Sequence, residues 1–199
     1  MRVISGSRRG RQLRAPRGMR TRPMADKIRE ASFSMLWSLG IEPVRVLDLY
    51  SGSGSVGIEA LSRGAEHVDF VEQARDAVQV IRQNLESTDL ADCATVHQMP
   101  VDRFIASARA PYDFVIMDPP YADADIQERI EQLASSAAVQ TGTALLIGHA
   151  PYLDLPEQVG RFVLLRKRCH GDSCFSIFEI DDEGASGSEP DGGAMKIGE

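Results

Sequence analysis

One stretch of the sequence, from Val44 to Gly57, most constrains the fold. An apolar run ends near the carboxylate of Asp48, and three glycines follow within Gly52–Gly57. Glycine lets a backbone turn sharply and approach a ligand closely, because it has no Cβ atom. The pattern that begins at Ile58 is typical of a helix, whose N-terminus offers free N–H groups and a partial positive charge. The stretch therefore predicts a buried strand, a tight turn and a helix start, a unit at which open α/β sheets bind ligands.

The glycine spacing, Gly-x-Gly-x-x-Gly, matches the dinucleotide-binding fingerprint, but two carboxylates indicate a different ligand. Asp48 would repel the pyrophosphate of a nicotinamide cofactor, whereas it would attract a cationic ligand that carries an amino-acid group. Glu72 ends the next apolar run, where an acidic residue can accept both hydroxyls of a ribose. Asp48, Gly52, Gly54 and Glu72 together suit S-adenosylmethionine, which combines an adenosine, a sulfonium and an amino-acid tail. The alternative is an ordinary strand–helix turn with Glu72 as a solvated charge.

A second buried strand ends in the sequence Asp118-Pro119-Pro120-Tyr121. The two prolines hold an extended backbone without N–H donors, so the Asp118 carboxylate and the Pro119 carbonyl remain as acceptors beside the ring of Tyr121. The NH2 group of a nucleobase is a poor nucleophile, and two acceptors can aim its nitrogen at a methyl donor while the base stacks on the ring. The motif therefore predicts an amino-methyltransferase site at Asp118, Pro119, Pro120 and Tyr121. The alternative is a rigid loop after a strand.

Two further runs, Arg22–Ala31 (Arg-Pro…Arg-Glu-Ala) and Gly57–Ala65 (with Glu-Ala-Leu-Ser-Arg-Gly-Ala), are more specific. Together with the glycine loop and Asp-Pro-Pro-Tyr, and with Gly171–Phe178, they resemble the RsmD family of bacterial methyltransferases. These enzymes modify a guanine N2 in small-subunit ribosomal RNA. The resemblance covers the chain from Arg2 to about Glu179. It implies cofactor contacts from Asp48, Tyr50, Ser51, Gly52, Gly54 and Glu72.

One departure from the family pattern affects the expected cofactor site. In the family a Gly-Asp pair contacts the adenine, and aligning Arg103-Phe104-Ile105 with the family pattern puts Met99-Pro100 at that pair. The resemblance therefore implies that Met99 and Val101 flank the adenine. Asp102 is a candidate for the missing carboxylate, and the alternative is that it is a solvated charge.

The net charge of −7 hides a basic N-terminus. Residues 1–29 carry nine arginines and Lys27 against a single acid, whereas the rest of the chain is strongly acidic. Arg2–Gly6 and Arg11–Ala15 could pair as a hairpin that presents arginines to phosphates and bases. A basic tail without a defined role and a mitochondrial transit peptide remain alternatives. We predict an RNA-binding arm with contacts from Arg8, Arg9, Arg11 and Arg22.

Arg166-Lys167-Arg168 forms the only other basic cluster of the sequence. It falls on the first strand of a predicted C-terminal hairpin. The cluster could assist RNA binding, and on a hairpin it is equally well explained as a solvated face.

The composition, with 43% hydrophobic and 26% charged residues in a chain of 199, is typical of one globular domain with a full core. No apolar run reaches the length of a membrane span. The cysteines and histidines show no metal-type spacing, so we expect no metal, and reduced thiols in a cytoplasmic protein. Cys169 and Cys174 could meet across a hairpin, but we expect no disulfide between them.

Strands that alternate with helices predict a parallel, doubly wound α/β sheet, and the last two strands predict an antiparallel hairpin at one edge. This is the class I methyltransferase fold that the resemblance implies. The expected organisation is a basic RNA-binding extension over residues 1–26, a methyltransferase domain over 27–180 and an acidic, disordered tail over 181–199. The expected strands include 67–71, 94–98, 112–117, 143–147, 162–168 and 174–180, and the expected helices are 27–39, 58–63, 74–86 and 125–138.

The resemblance implies an enzyme that transfers a methyl group from S-adenosylmethionine to a guanine N2 in 16S ribosomal RNA. The expected partner is this RNA or the small ribosomal subunit, and nothing in the sequence calls for more than a monomer. One alternative is an amino-methyltransferase that acts on adenine N6 of DNA or RNA, or on a protein amide. Another is an RNA-binding relative that has lost turnover. A nicotinamide oxidoreductase is disfavoured by Asp48.

Overall fold

The computed structural model describes residues 1–16, 26–119 and 125–181. Its centre is an eight-stranded sheet with the order β3-β2-β1-β4-β5-β8-β7-β6. The strands are β1 (Arg45–Leu49), β2 (His67–Glu72), β3 (Ala94–Gln98), β4 (Phe114–Met117), β5 (Ala144–His149), β6 (Gln158–Val159), β7 (Phe162–His170) and β8 (Ser173–Ile180). The helices are α1 (Asp26–Ser38), α2 (Ser55–Arg63), α3 (Arg75–Ser87), α4 (Val101–Ser107) and α5 (Ile126–Ala134), with one 3-10 turn at Ala91–Cys93.

Strands β1 to β5 are parallel, and β6 to β8 continue the sheet in antiparallel pairing. Alternate residues of each central strand face opposite sides of the sheet. Val46 and Ile116 belong to the core beneath α1, α2 and α3, whereas Leu47 and Val115 belong to the core beneath α4 and α5. The predicted α/β architecture with a terminal antiparallel hairpin is confirmed.

Several element boundaries differ from the prediction. Helix α2 begins at Ser55 rather than at residue 58, because the glycine turn leads directly into it. Helix α5 ends at Ala134, four residues earlier than expected. Helix α4 was not predicted, since it has only seven residues and no side chain caps its N-terminus. Short elements of this kind are held by tertiary packing rather than by local sequence signals.

The N-terminal residues form the predicted hairpin. Arg2 pairs with Gln12 in an antiparallel bridge, and the amide of Val3 donates to the carbonyl of Arg11 at 3.0 Å. Val3 and Leu13 are buried in the core beneath α1 and α2. A Cβ atom at Gly6 would overlap the carbonyl of Ser62 in α2, so this turn approaches the helix as closely as only glycine allows.

A buried ion network joins the hairpin, α1 and α2. Both oxygens of Glu59 are fully buried and accept the amides of Ile4 and Ser5, at 2.8 and 2.9 Å. Glu59 also pairs with Arg63 at 2.8 Å and with the buried Arg29 at 3.6 Å. Arg29 donates in turn to the carbonyl of Arg2. The two family-specific sequence runs therefore meet at one buried carboxylate.

The C-terminal hairpin contains a disulfide between Cys169 and Cys174, which face each other across β7 and β8. The expectation of reduced thiols is wrong for this pair. The antiparallel register places the two residues directly opposite, with their Cα atoms 4.0 Å apart. Cys93 is free.

Candidate active site

The predicted turn connects β1 to α2 and is held by its own backbone. The Ser51 hydroxyl donates to the carbonyl of Asp48 at 2.6 Å, and the amide of Gly54 donates to the carbonyl of Ser51 at 2.7 Å. Gly52 and Gly54 have φ values of 55° and 74°, which L side chains rarely adopt. Tyr50 also has a positive φ of 57° and is half-buried. The turn is thus a tightly wound backbone loop at the carboxyl end of β1.

The carboxylate of Asp48 lies beneath this turn and is buried. One of its oxygens accepts the amide of Gly57 at 3.0 Å. Burial raises the pKa of Asp48 to about 8, the Gly57 hydrogen bond lowers it, and the negative charges of Asp118 and Glu72 raise it further. Without a cation beside it, Asp48 therefore holds a proton at neutral pH.

Gly57 is required by the closeness of α2 to Asp48. A Cβ atom at this position would lie 2.5 Å from Cε1 of Phe70 and 2.8 Å from Oδ2 of Asp48. Any other residue would force the first turn of α2 away from the strand. The third glycine of the spacing therefore keeps the helix N-terminus against the carboxylate.

Glu72 ends β2 and faces the same turn. One of its oxygens accepts the amide of Gly52 at 3.0 Å, and the other accepts the amide of Ala74 at 2.8 Å. The side chain remains half-exposed. Since each carboxylate oxygen can accept more than one hydrogen bond, Glu72 keeps acceptor capacity for a ligand in the crevice.

Asp118 follows β4 directly, next to β1 in the sheet. Leu49 of β1 is level with Met117, so Asp118 lies just beyond the end of the pair. Burial raises the pKa of Asp118 to about 6. Pro119 is buried. The structure thus brings Asp48, Glu72 and Asp118 together at one end of the sheet.

Three predicted residues lie outside the described part of the chain, which leaves their roles as predictions. These residues are Pro120, Tyr121 and Arg22.

The predicted adenine-flanking residues lie at the start of α4, after β3. Met99 is half-buried and packs on the core beneath α4, and Val101 is buried as the first residue of that helix. Asp102 is exposed in the first turn. Pro100 stands just before the first residue of α4, where proline is compatible with a helix start.

The N-terminal arginines differ in their surroundings. Arg8 donates through Nε to the carbonyl of Thr88 at 2.6 Å, and Arg11 donates to the carbonyl of Ser87 at 3.2 Å. Both side chains therefore satisfy carbonyls at the C-terminus of α3, where cations are favoured. Arg9 is exposed and forms no ion pair with a described residue.

His149 ends β5, at the same end of the sheet as Asp48 and Asp118. The imidazole is buried between the Ser176 hydroxyl at 2.9 Å and the carbonyl of Ala150 at 3.0 Å. Burial lowers the pKa of His149, so the ring is neutral at physiological pH. His149 therefore brings no charge to this end of the sheet.

An apolar cavity of about 250 Å³ lies away from these residues. It is lined by the ends of α1 and α2 and by residues 41–44, which precede β1. Asp48 and Asp118 lie toward the opposite end of the strands. The cavity is therefore separate from the candidate active site.

The described residues contain no group of three or more histidine, cysteine or acidic side chains arranged to hold a metal ion. Across the same ranges, every helix is too short or too polar to traverse a bilayer.

The doubly wound sheet, the glycine turn over Asp48 and the neighbouring Asp118 define a class I methyltransferase fold. A solved structure, "Putative methyltransferase yhhF from Escherichia coli", matches with a TM-score of 0.78 and 27% identity, covering 91% of this chain and 98% of that one.

The family model described as "Conserved hypothetical protein 95" matches residues 1–179, and the chain belongs to this family, the RsmD family. "Putative rRNA methyltransferase YlbH" of Bacillus subtilis is 36% identical over 182 residues, which are 90% of this chain and 98% of that protein. "Ribosomal RNA small subunit methyltransferase D" of Escherichia coli K12 is 26% identical over 189 residues, or 95% and 94% of the two chains. The protein is thus a methyltransferase.

Proposed function

We propose that the protein transfers a methyl group from S-adenosylmethionine to the N2 amine of a guanine in small-subunit ribosomal RNA. The observation that carries the proposal is the convergence of Asp48, Glu72 and Asp118 beside the glycine turn. The names of the curated relatives support ribosomal RNA as the substrate class. The proposed form is a cytoplasmic monomer, and direct displacement at the methyl carbon calls for no metal.

The carboxylates and the glycine turn of this site fit S-adenosylmethionine. When bound, this cofactor supplies an electrophilic methyl group on a positively charged sulfonium. Asp48 and the glycine turn would hold the amino-acid end, and Glu72 would accept the ribose hydroxyls. Met99 and Val101 would flank the adenine, with Asp102 beside it. The raised pKa of Asp48 supports this fit, because a buried carboxyl among other carboxylates gains most from a cationic ligand.

Asp118 and the Pro119 carbonyl would hold the N2 amine of the guanine in line with the methyl group. With a pKa of about 6, Asp118 is mostly ionised at neutral pH and can accept an N–H. Tyr121 would stack on the base, a contact worth about 1–3 kcal/mol. Extrusion of the guanine from its stack costs a few kcal/mol, so this contact offsets part of that cost. The proton would leave through Asp118 or to water after transfer begins.

The N-terminal hairpin would approach the RNA with Arg9 and with Arg22 of the neighbouring segment. Arg8 and Arg11, which donate to carbonyls at the end of α3, would contribute positive electrostatic potential. Adenine N6 of DNA or RNA, or a protein amide, would also satisfy two acceptors, and these substrates are the alternatives that the assay below separates.

The raised pKa of Asp48 predicts that cofactor binding releases a proton. At pH 7 a carboxyl with a pKa of about 8 is mostly protonated, and a nearby ammonium group favours its ionised form. We expect release of most of one proton per S-adenosylmethionine at pH 7, and almost none at pH 9. Calorimetric titration in phosphate and in Tris measures this number from the difference in binding enthalpy.

Asp48→Asn serves as the control, since it has no proton to release. If the binding enthalpy at pH 7 is the same in both buffers, the prediction of proton release is wrong.

In the ligand-free protein the raised pKa of Asp48 also predicts that the free energy of unfolding falls as the pH rises from about 4 to about 8. The folded state keeps a proton there that the unfolded chain, with a pKa of 3.8, has already lost.

The proposed function is tested by measuring transfer of a labelled methyl group from S-adenosylmethionine to three substrates. These are small ribosomal subunits whose target guanine is unmethylated, naked ribosomal RNA, and DNA. We expect label in the ribosomal substrates and none in DNA. A thermal shift with S-adenosylhomocysteine but not with NAD is the parallel test of cofactor class. Label in DNA would move the substrate to the alternative class, and cofactor binding without transfer to any substrate would indicate an inactive relative.

A further inference from the structure

The basic cluster of β7 is divided between the two faces of the sheet. Pairing with β8 places Arg166 level with Ile177 and Arg168 level with Phe175. Ile177 and Phe175 belong to the core beneath α1 and α2. Lys167 is level with Ser176 and therefore faces the other side. The two arginines thus share one face, and the lysine between them does not.

A β-bulge at Leu165 produces this division. Before the bulge, Phe162 and Leu164 pair with Ile180 and Phe178 and face the core beneath α4 and α5. Without the extra residue, simple alternation would turn Lys167 toward the side of α1 and both arginines away from it. One inserted residue reverses the facing of every later side chain, and bulges often redirect side chains near active sites.

Asp118 lies on the same face as these arginines and in the same row of the sheet. Asp48 is level with Ile116, whose side chain belongs to the core beneath α1 and α2, and Asp118 follows two residues later. Met117 is level with Ile147, Ile147 with Ser176, and Ser176 with Lys167. The next row therefore runs from Asp118 to Arg168, across three strand spacings or about 14 Å.

The surroundings leave both arginines available to an anion. Arg166 and Arg168 are exposed, and neither forms an ion pair with a residue in the described ranges. Lys167 is also exposed, but its ammonium donates to the Asp154 carboxylate at 3.2 Å on the opposite face. The Cys169–Cys174 disulfide closes the tip of the hairpin, and Cys174 pairs with His149 at the end of β5.

We propose that Arg166 and Arg168 form a phosphate-binding surface for the RNA that flanks the methylated nucleotide. The inference rests on the proposed function, since it requires RNA at Asp118. Guanidinium groups match phosphate oxygens, and two of them on the face of Asp118 would hold the strand beside the extruded base. Because the two arginines lie about 14 Å from Asp118, they can position the RNA but cannot reach the methyl group.

The test compares Arg166→Gln/Arg168→Gln with the control Lys167→Gln, using naked small-subunit ribosomal RNA as the probe. For the double variant we expect a Kd about tenfold higher at 0.1 M salt, and a slope of log K against log salt that is shallower by about 1 to 2. The Kd for S-adenosylmethionine and the kcat at saturating RNA should match those of the wild type. Lys167→Gln should leave both the Kd for RNA and the salt slope unchanged.

RNA affinity and methyl transfer are separate readouts in this experiment. If wild-type protein methylates the RNA and the double variant keeps the wild-type Kd and salt slope, the arginine surface is wrong and the proposed function stands. An equal loss of RNA affinity in Lys167→Gln would also overturn the inference, because RNA would then not prefer the face of β7 that Asp118 shares. Absence of transfer by the wild-type protein would refute the proposed function itself.

Discussion

Replacement of Asp118 by alanine is expected to lower kcat for methyl transfer by about 10²–10⁴-fold, the range typical of a positioned acceptor group. The affinity for S-adenosylmethionine should remain nearly unchanged, since Asp118 lies beyond the end of β4 and the proposed cofactor contacts come from β1 and β2. Removing its charge would if anything favour ionisation of Asp48. Single-turnover transfer and calorimetric binding measure the two effects separately.

Asp118→Asn separates acceptance of a hydrogen bond from a need for charge. The amide keeps one acceptor oxygen, so this variant should retain more activity than the alanine variant. The pH profile gives a second control. With a pKa of about 6, wild-type kcat should fall as the pH drops through this value, and the asparagine variant should lack that step. Equal loss of transfer and of cofactor affinity in Asp118→Ala would contradict the assigned role.

Replacement of Glu59 by alanine is expected to lower the free energy of unfolding by about 3–5 kcal/mol. The change removes the acceptor of two hairpin amides and the partner of Arg63. It also leaves the guanidinium of Arg29 buried, where Nε and Nη1 already lack hydrogen-bond partners among the described residues. Urea unfolding followed by circular dichroism measures the change, provided that the slope with denaturant is preserved.

Glu86→Ala is the matched control, because Glu86 is an exposed glutamate on α3 and should change the stability by no more than about 0.5 kcal/mol. Glu59→Gln keeps the shape and one acceptor oxygen, and an intermediate loss is expected. If Glu59→Ala unfolds at the same urea concentration as Glu86→Ala, the buried network does not hold the hairpin and α1 to α2.

The central strands and the glycine turn could be predicted because their signals are local. The apolar run before Asp48 and the glycines after it specify a strand and a tight turn without reference to the rest of the chain. Helix α4 could not be predicted, since its seven residues depend on Val101 and Phe104 reaching the core. Glu59 was visible only as part of a family motif, because its backbone partners lie 54 and 55 residues away in the sequence.

The side of the sheet on which each β7 side chain lies could not be predicted, for a different reason. Alternation read from Phe162 would place Lys167 on the side of Asp118, and only the paired register reveals the bulge at Leu165. The Cys169–Cys174 disulfide depends on the same register, which the sequence does not specify. Features that depend on how two strands align could therefore be inferred only from the structure.

The most direct test of the central claim is the identity of the methylated nucleoside. Small ribosomal subunits that lack the modification are incubated with the protein and S-adenosylmethionine, and the RNA is digested to nucleosides and analysed by mass spectrometry. We expect N2-methylguanosine with the wild-type protein and none with Asp118→Ala. N6-methyladenosine, or no new methylated nucleoside while the cofactor still binds, would contradict the proposed reaction.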